Sequence, residues 1–155
     1  MSLREGVCMK GENKRVLAIG AHPDDVEFMC SGVLSLLLLP EPRTSSISYL
    51  YYWSPLEGNN IYGDFVDQRI YVDITEVIDF KAGMLACHKS QRDWLMQQHH
   101  MDKYIETMRT TARREGEASG FAFAEGYTQH MGNAYPQDNI LKKVLGDLVR
   151  ERGGG

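Results

Sequence analysis

The residues best suited to chemistry in this chain are Ala21-His22-Pro23-Asp24-Asp25. His22 offers an imidazole nitrogen and Asp25 a carboxylate oxygen, both ordinary donors to a divalent ion such as zinc. Pro23 restricts the turn between them and favours a preset arrangement. Asp24 is left to face a water on such an ion. The pKa of that water falls from about 15.7 to about 7, so a nearby carboxylate can take its proton at neutral pH. The same residues also suit helix capping, because carboxylates are favoured at the positive end of a helix dipole. Spacing alone leaves both readings open.

Either role needs elements that hold the turn in place. The run Arg15 to Ala21, with Val16, Leu17, Ala18 and Ile19 at its centre, predicts a strand buried on both faces, as in a parallel sheet. Val26 to Leu39 predicts a helix, and its small residues Ser31, Gly32 and Ser35 allow close approach to a sheet. His22 to Asp25 then lie at the carboxyl end of a strand, where open α/β sheets bind ligands. Strand, turn and helix open a Rossmann-like α/β unit. The Pro/Ser loop PEPRTSS ends the helix. Further strands are expected at Ile47 to Trp53 and at Ile70 to Ile74, the second interrupted by Asp73.

Helical spacing of Val77, Ile78, Lys81, Met84, Leu85, His88 and Leu95 predicts a helix from Thr75 to about Gln98, with Thr75 as N-cap. Met101, Tyr104, Ile105, Met108 and Ala112 form a second stripe, ending near Gly116. Ile140, Leu141, Val144, Leu145, Leu148 and Val149 form a third, capped by Asp138 or Asn139. Ala124-Glu125-Gly126-Tyr127 reads as loop.

Composition sets the outer limits. The chain has 155 residues, 43% hydrophobic and 25% charged, a globular balance suited to one domain over residues 15–150. A net charge of -4 gives no basic footprint for nucleic acid or an anionic membrane, so neither partner is expected. Cys8, Cys30 and Cys87 are scattered and form no disulfide framework, which points to a reducing, cytoplasmic setting. The apolar run Gly32 to Leu39 is far short of the roughly 20 residues of a membrane span. The N-terminal residues carry charge without an apolar stretch, so no signal peptide is expected.

The segment VLAIGAHPDDVEFMCSG resembles the opening signature of the PIG-L/LmbE-like N-acetylglucosaminyl deacetylases, AHPDD(E) after the first strand. KAGMLACHKSQ (Lys81 to Gln91) and FAEGYTQH (Phe123 to His130) are similar to the C-terminal half of that family. The resemblance covers Arg15 to Leu39 and Tyr49 to Tyr135. It implies a Rossmann-like PIG-L/LmbE fold, incomplete in this chain, and hydrolysis of an N-acetyl amide on a glucosamine-type sugar. It implies zinc, or another divalent metal, held by His22 and Asp25, with Asp24 as general base. The sequence departs from the family by lacking the HPDH-like motif that supplies a third, histidine ligand. The middle strands also look absent, as though a segment were missing near Leu39-Pro40. With two protein ligands, metal binding is expected to be weak and easily lost to a chelator.

His130 is the strongest further candidate, as an oxyanion donor or substrate contact rather than a ligand. Glu125 could equally be structural. His88 reads as a core histidine, His99 and Asp102 as exposed or capping residues, and His100 has no evident partner. Tyr49, Tyr51, Tyr52 and Trp53 suit sugar stacking, but on a strand they more readily pack in the core. YYWSPLEGNNIYG also looks like a subgroup feature, without a chemical role. The competing function is a non-catalytic carbohydrate-binding or interaction module of the same fold. A nucleotide-binding Rossmann protein is weaker still, since no GxGxxG follows the first strand. The small-molecule partner expected is an N-acetylated amino sugar, and the oligomeric state, homo-oligomer included, is left open.

Overall fold

The computed structural model describes residues 18–20, 25–37, 49–55, 58–88, 104–132 and 135–153. Within them the chain is mixed α/β. Four short strands, β1 (Tyr51–Trp53), β2 (Ile70–Asp73), β3 (Ala124–Gln129) and β4 (Val149–Glu151), make one sheet in the order β1-β3-β2-β4. All its pairings are antiparallel. Trp53 stands opposite Tyr127, and Val72 stands between Glu125 on one side and Val149 on the other.

Side chains alternate across a pleated strand, so Ile70, Val72, Glu125, Tyr127 and Val149 share one face. The helices are α1 (Asp25–Met29), α2 (Ser31–Leu37), α3 (Ile78–Ala86), α4 (Tyr104–Ser119) and α5 (Ile140–Leu145). Phe28 and Val33 from the first pair, Ile78 and Leu85 from α3, and Tyr104 and Met108 from α4 join that sheet face in one apolar core. Val72, Ile74, Leu85 and Val149 are fully buried there. No helix among the described residues is long and apolar enough to cross a membrane.

Several expectations are met and several are corrected. The helix expected from Val26 begins at Asp25 and breaks at Cys30. Of the strand expected over residues 15–21, residues 18–20 belong to no strand and the others lie outside the described residues. The described sheet is antiparallel, not the parallel sheet that the apolar run suggested. β2 forms where expected and stops at Asp73, whose Oδ1 accepts from the Thr75 amide at 2.9 Å and the Thr75 hydroxyl at 2.5 Å. Thr75 is therefore held by Asp73 and is not the N-cap. A 3-10 turn over Thr75–Val77 leads into α3, which Val77 precedes without a side-chain cap bond.

α4 runs past Gly116 to Ser119 and stops at Gly120, whose φ of 76° favours glycine. Asn139 is the cap of α5, accepting from Leu141 at 3.0 Å and Lys142 at 3.4 Å. That helix ends before Gly146, so Leu148 and Val149 do not extend the apolar stripe, and Val149 enters β4 instead. β3 replaces the expected loop and is the strand bonded to both β1 and β2. Its Glu, Gly and Gln are poor strand formers, and tertiary pairing overrides them. His99, His100 and Asp102, the region near Leu39-Pro40 and Cys8 lie outside the described residues. Cys30 is buried, Cys87 is exposed, and both are free thiols.

Candidate functional site on the third strand

Two polar groupings are built on β3 and its end, and they differ in kind. The first centres on Glu125, buried on the helix-covered face. Its Oε1 accepts from the Gly32 amide at 2.8 Å and from Lys81 Nζ at 2.8 Å. Its Oε2 accepts from the Val33 amide at 3.0 Å and from the Tyr127 hydroxyl at 2.8 Å. A carboxylate offers about four lone-pair sites, and the chain's own donors fill them. The amides of Gly32 and Val33 belong to the first turn of α2, where a helix has no internal acceptor for them. Cys30 still donates to Val26, and Leu34 to Cys30. The break between α1 and α2 is thus the place where a strand carboxylate serves as a remote cap.

Lys81 and Glu125 are almost wholly buried as a pair. Such a pair is stabilising only with good geometry and further hydrogen bonds, and the amides and the phenol supply these to Glu125. Burial, and then the neighbouring Glu125, hold the Tyr127 phenol protonated well above its ordinary range. Beside the network lies a cavity of about 10 Å³, lined by Phe28, Met29, Ser54, Lys81, Glu115 and Glu125 among others. That volume suits one water and excludes a sugar ring. Glu115, on the same cavity, accepts from the Ser54 hydroxyl at 2.9 Å and from Arg114 at 3.2 Å.

The second grouping stands just beyond β3. His130 is half-buried, and its backbone amide donates to Leu50 at 2.8 Å, extending the β1–β3 pairing. Its Nδ1 lies 2.9 Å from the Tyr52 hydroxyl. The edge-on ring of Tyr135 is 4.3 Å away between centroids. Tyr52 is 50% exposed, so this cluster meets solvent where the Glu125 network does not.

The other aromatics of β1 are structural, as expected. Tyr51 and Trp53 pack against the core. Tyr51 donates to Asn139 at 2.9 Å and Tyr49 donates to Asp138 at 3.1 Å, pinning the start of α5. A hydrogen bond from Lys143 holds the Asp138 carboxyl below its ordinary range. His88 is half-buried just after α3, short of the core position expected for it.

Of the four residues singled out in the sequence, Asp25 and His130 are described, while His22 and Asp24 lie outside the described residues. Asp25 opens α1, where its carboxylate suits either a metal or the helix start. An imidazole and a carboxylate form an apt donor pair for a divalent ion, two of the three protein ligands a catalytic zinc takes. Among the described residues no three His, Cys, Asp or Glu side chains gather into a group that could hold an ion. Sequence reasoning missed Tyr52 as the partner of His130 and Lys81 as the partner of Glu125. A lysine on an apolar stripe was the available signal, because a buried charge requires a partner. Comparison with protein-family models, curated proteins and solved structures gives no match.

Proposed function

We propose that this chain is a metal-dependent hydrolase of N-acetylated amino sugars, built on a Rossmann-like PIG-L/LmbE fold. The observation that carries the reading is Ala21-His22-Pro23-Asp24-Asp25 followed at once by a helix starting at Asp25. That helix is continued by α2, which Glu125 bonds directly to β3. His22 and Asp25 would hold the metal. When bound, zinc would supply an acidified water and a positive charge beside the scissile amide. Asp24 takes the proton from the attacking water and can return it to the leaving amine. His130 contributes a hydrogen bond to the acetyl carbonyl oxygen as negative charge develops there.

The test separates binding from chemistry. With saturating zinc and N-acetylglucosamine as substrate, Asp24→Asn is expected to lower acetate release about 10²- to 10⁴-fold, the usual share of a general base. Zinc affinity measured by equilibrium titration is expected to stay unchanged in Asp24→Asn and to fall in His22→Ala and Asp25→Ala. Equal hydrolysis by Asp24→Asn and the parent would remove the base assignment. Sugar binding without hydrolysis or zinc dependence in the parent would favour the non-catalytic carbohydrate-binding module.

A further inference from the structure

Register explains why Tyr52 and His130 meet. Tyr52 pairs with Thr128, and the amide bond from His130 to Leu50 carries the same pairing one step further. Leu50 and Tyr52 are two residues apart on one strand, so the Tyr52 and His130 side chains are diagonal neighbours on one face. Between the two hydrogen-bonding groups, a phenol O–H is the better hydrogen-bond donor than a neutral imidazole N–H. It is therefore the donor, and Nδ1 accepts through its lone pair. A neutral imidazole with Nδ1 engaged in this way carries its proton on Nε2.

No hydrogen-bond partner meets Nε2 among the described residues. A side chain on Gly132 would fall inside van der Waals contact of Nε2. The backbone of Gly132 is not in the left-handed region that favours glycine. The missing side chain thus makes room for the imidazole, whose Nε2 lies against Gly132. Tyr52 and Tyr135 both stand steeply to the imidazole plane, at 64° and 63°, and pack against the ring.

We propose that Tyr52 is a positioning residue that locks His130 as its Nε2–H tautomer and presents that N–H to a carbonyl or hydroxyl oxygen of the substrate. The tautomer and its lock rest on the Tyr52–His130 contact and the donor strength of the phenol. The identity of the oxygen, that of an N-acetylated sugar, rests on the proposed function above.

The experiment is long-range nitrogen–proton correlation NMR of the histidine rings in the full chain, above the imidazole titration range. The resonances of His130 are assigned by their loss in His130→Gln. The parent is expected to show His130 as a single Nε2–H tautomer. Tyr52→Phe, which keeps the ring and removes the hydroxyl, is expected to show a mixture with the Nδ1–H form. Gly132→Ala is expected to push the ring off Tyr52 and give the same mixed signature. A parent in the Nδ1–H form, or an identical tautomer in the parent and Tyr52→Phe, overturns the lock.

Titration with N-acetylglucosamine then reads the donor. It is expected to shift the His130 ring resonances, with a dissociation constant about fivefold higher in Tyr52→Phe, the worth of about one net hydrogen bond. A preserved lock with no sugar-induced shift at His130 overturns the donor assignment and counts against the sugar reading. The tautomer result stands apart from that outcome, so the two failures are distinguishable.

Discussion

Glu125 and His130 lie five positions apart, the first within β3 and the second just past its end, yet they are built for opposite tasks. Every acceptor site of Glu125 is met by a donor of the chain itself: two amides of α2, the ammonium of α3 and a phenol two residues along. His130 has one nitrogen engaged by Tyr52 and the other without a hydrogen-bond partner among the described residues. A saturated buried group fixes where elements sit, whereas a group with one open valence, reached by solvent, is equipped to meet a ligand. The contrast assigns architecture to the middle of β3 and chemistry to its end.

The sharpest way to break this contrast is to remove the carboxylate. Glu125→Ala leaves Lys81 buried without its partner and strips two helix amides of their acceptor. Breaking a buried pair in this way costs about 3–5 kcal/mol. Urea denaturation is expected to show a loss of that size, with a lowered midpoint. A loss below about 1 kcal/mol, the scale of a single net hydrogen bond, would show that the network is incidental to the packing around it.

The extent to which these features could be read in advance follows from how local their causes are. The helix expected from Val26, β2, and the helices around Leu85 and Met108 were legible because apolar spacing along a short window reports the buried face. Lys81 was placed correctly on a buried stripe by that same spacing. β3 was not legible, since Ala-Glu-Gly-Tyr-Thr-Gln carries a carboxylate, a glycine and an amide where strand formers are usual. Its strand state depends on pairing with β1 and β2, both distant in sequence, which no local window contains. The end of the third apolar stripe was misread for a related reason. Leu148 and Val149 keep helical spacing, but Gly146 at a φ of 58° turns the chain and Val149 is claimed by β2. Within the candidate site, His130 was legible by type, while its partner Tyr52, 78 residues away, needed the register.

A smaller effect sharpens the role of Tyr127 in the buried grouping. Its phenol keeps its proton in the folded state well above the ordinary range, while the unfolded chain releases it near pH 10. Above that pH the unfolded state binds fewer protons than the native one, so stability falls as pH rises. Each pH unit between the unfolded and folded pKa values removes about 1.4 kcal/mol through this one group. Tyr127→Phe is expected to cost about 1 kcal/mol at neutral pH through the lost hydrogen bond to Glu125. Its stability is also expected to fall less steeply than the parent's above pH 10. Parallel alkaline limbs for the two proteins would place the proton release elsewhere.

The smallest expected effect is the one that completes the contrast. His130→Ala removes a half-buried ring whose hydrogen-bond partner, Tyr52, is itself open to water and can bond to solvent instead. Nothing buried loses a donor or an acceptor, no charge is left unpaired, and the backbone bond to Leu50 is untouched because it does not involve the side chain. The loss is confined to edge contacts with Tyr52 and Tyr135, so stability is expected to change by about 0.5 kcal/mol or less, as for a surface site. A loss approaching that of Glu125→Ala would mean that His130 is a structural member of the sheet end. Near-parental stability would mean that the alanine variant reports on ligand contact alone, because the two ends of β3 can then be altered independently.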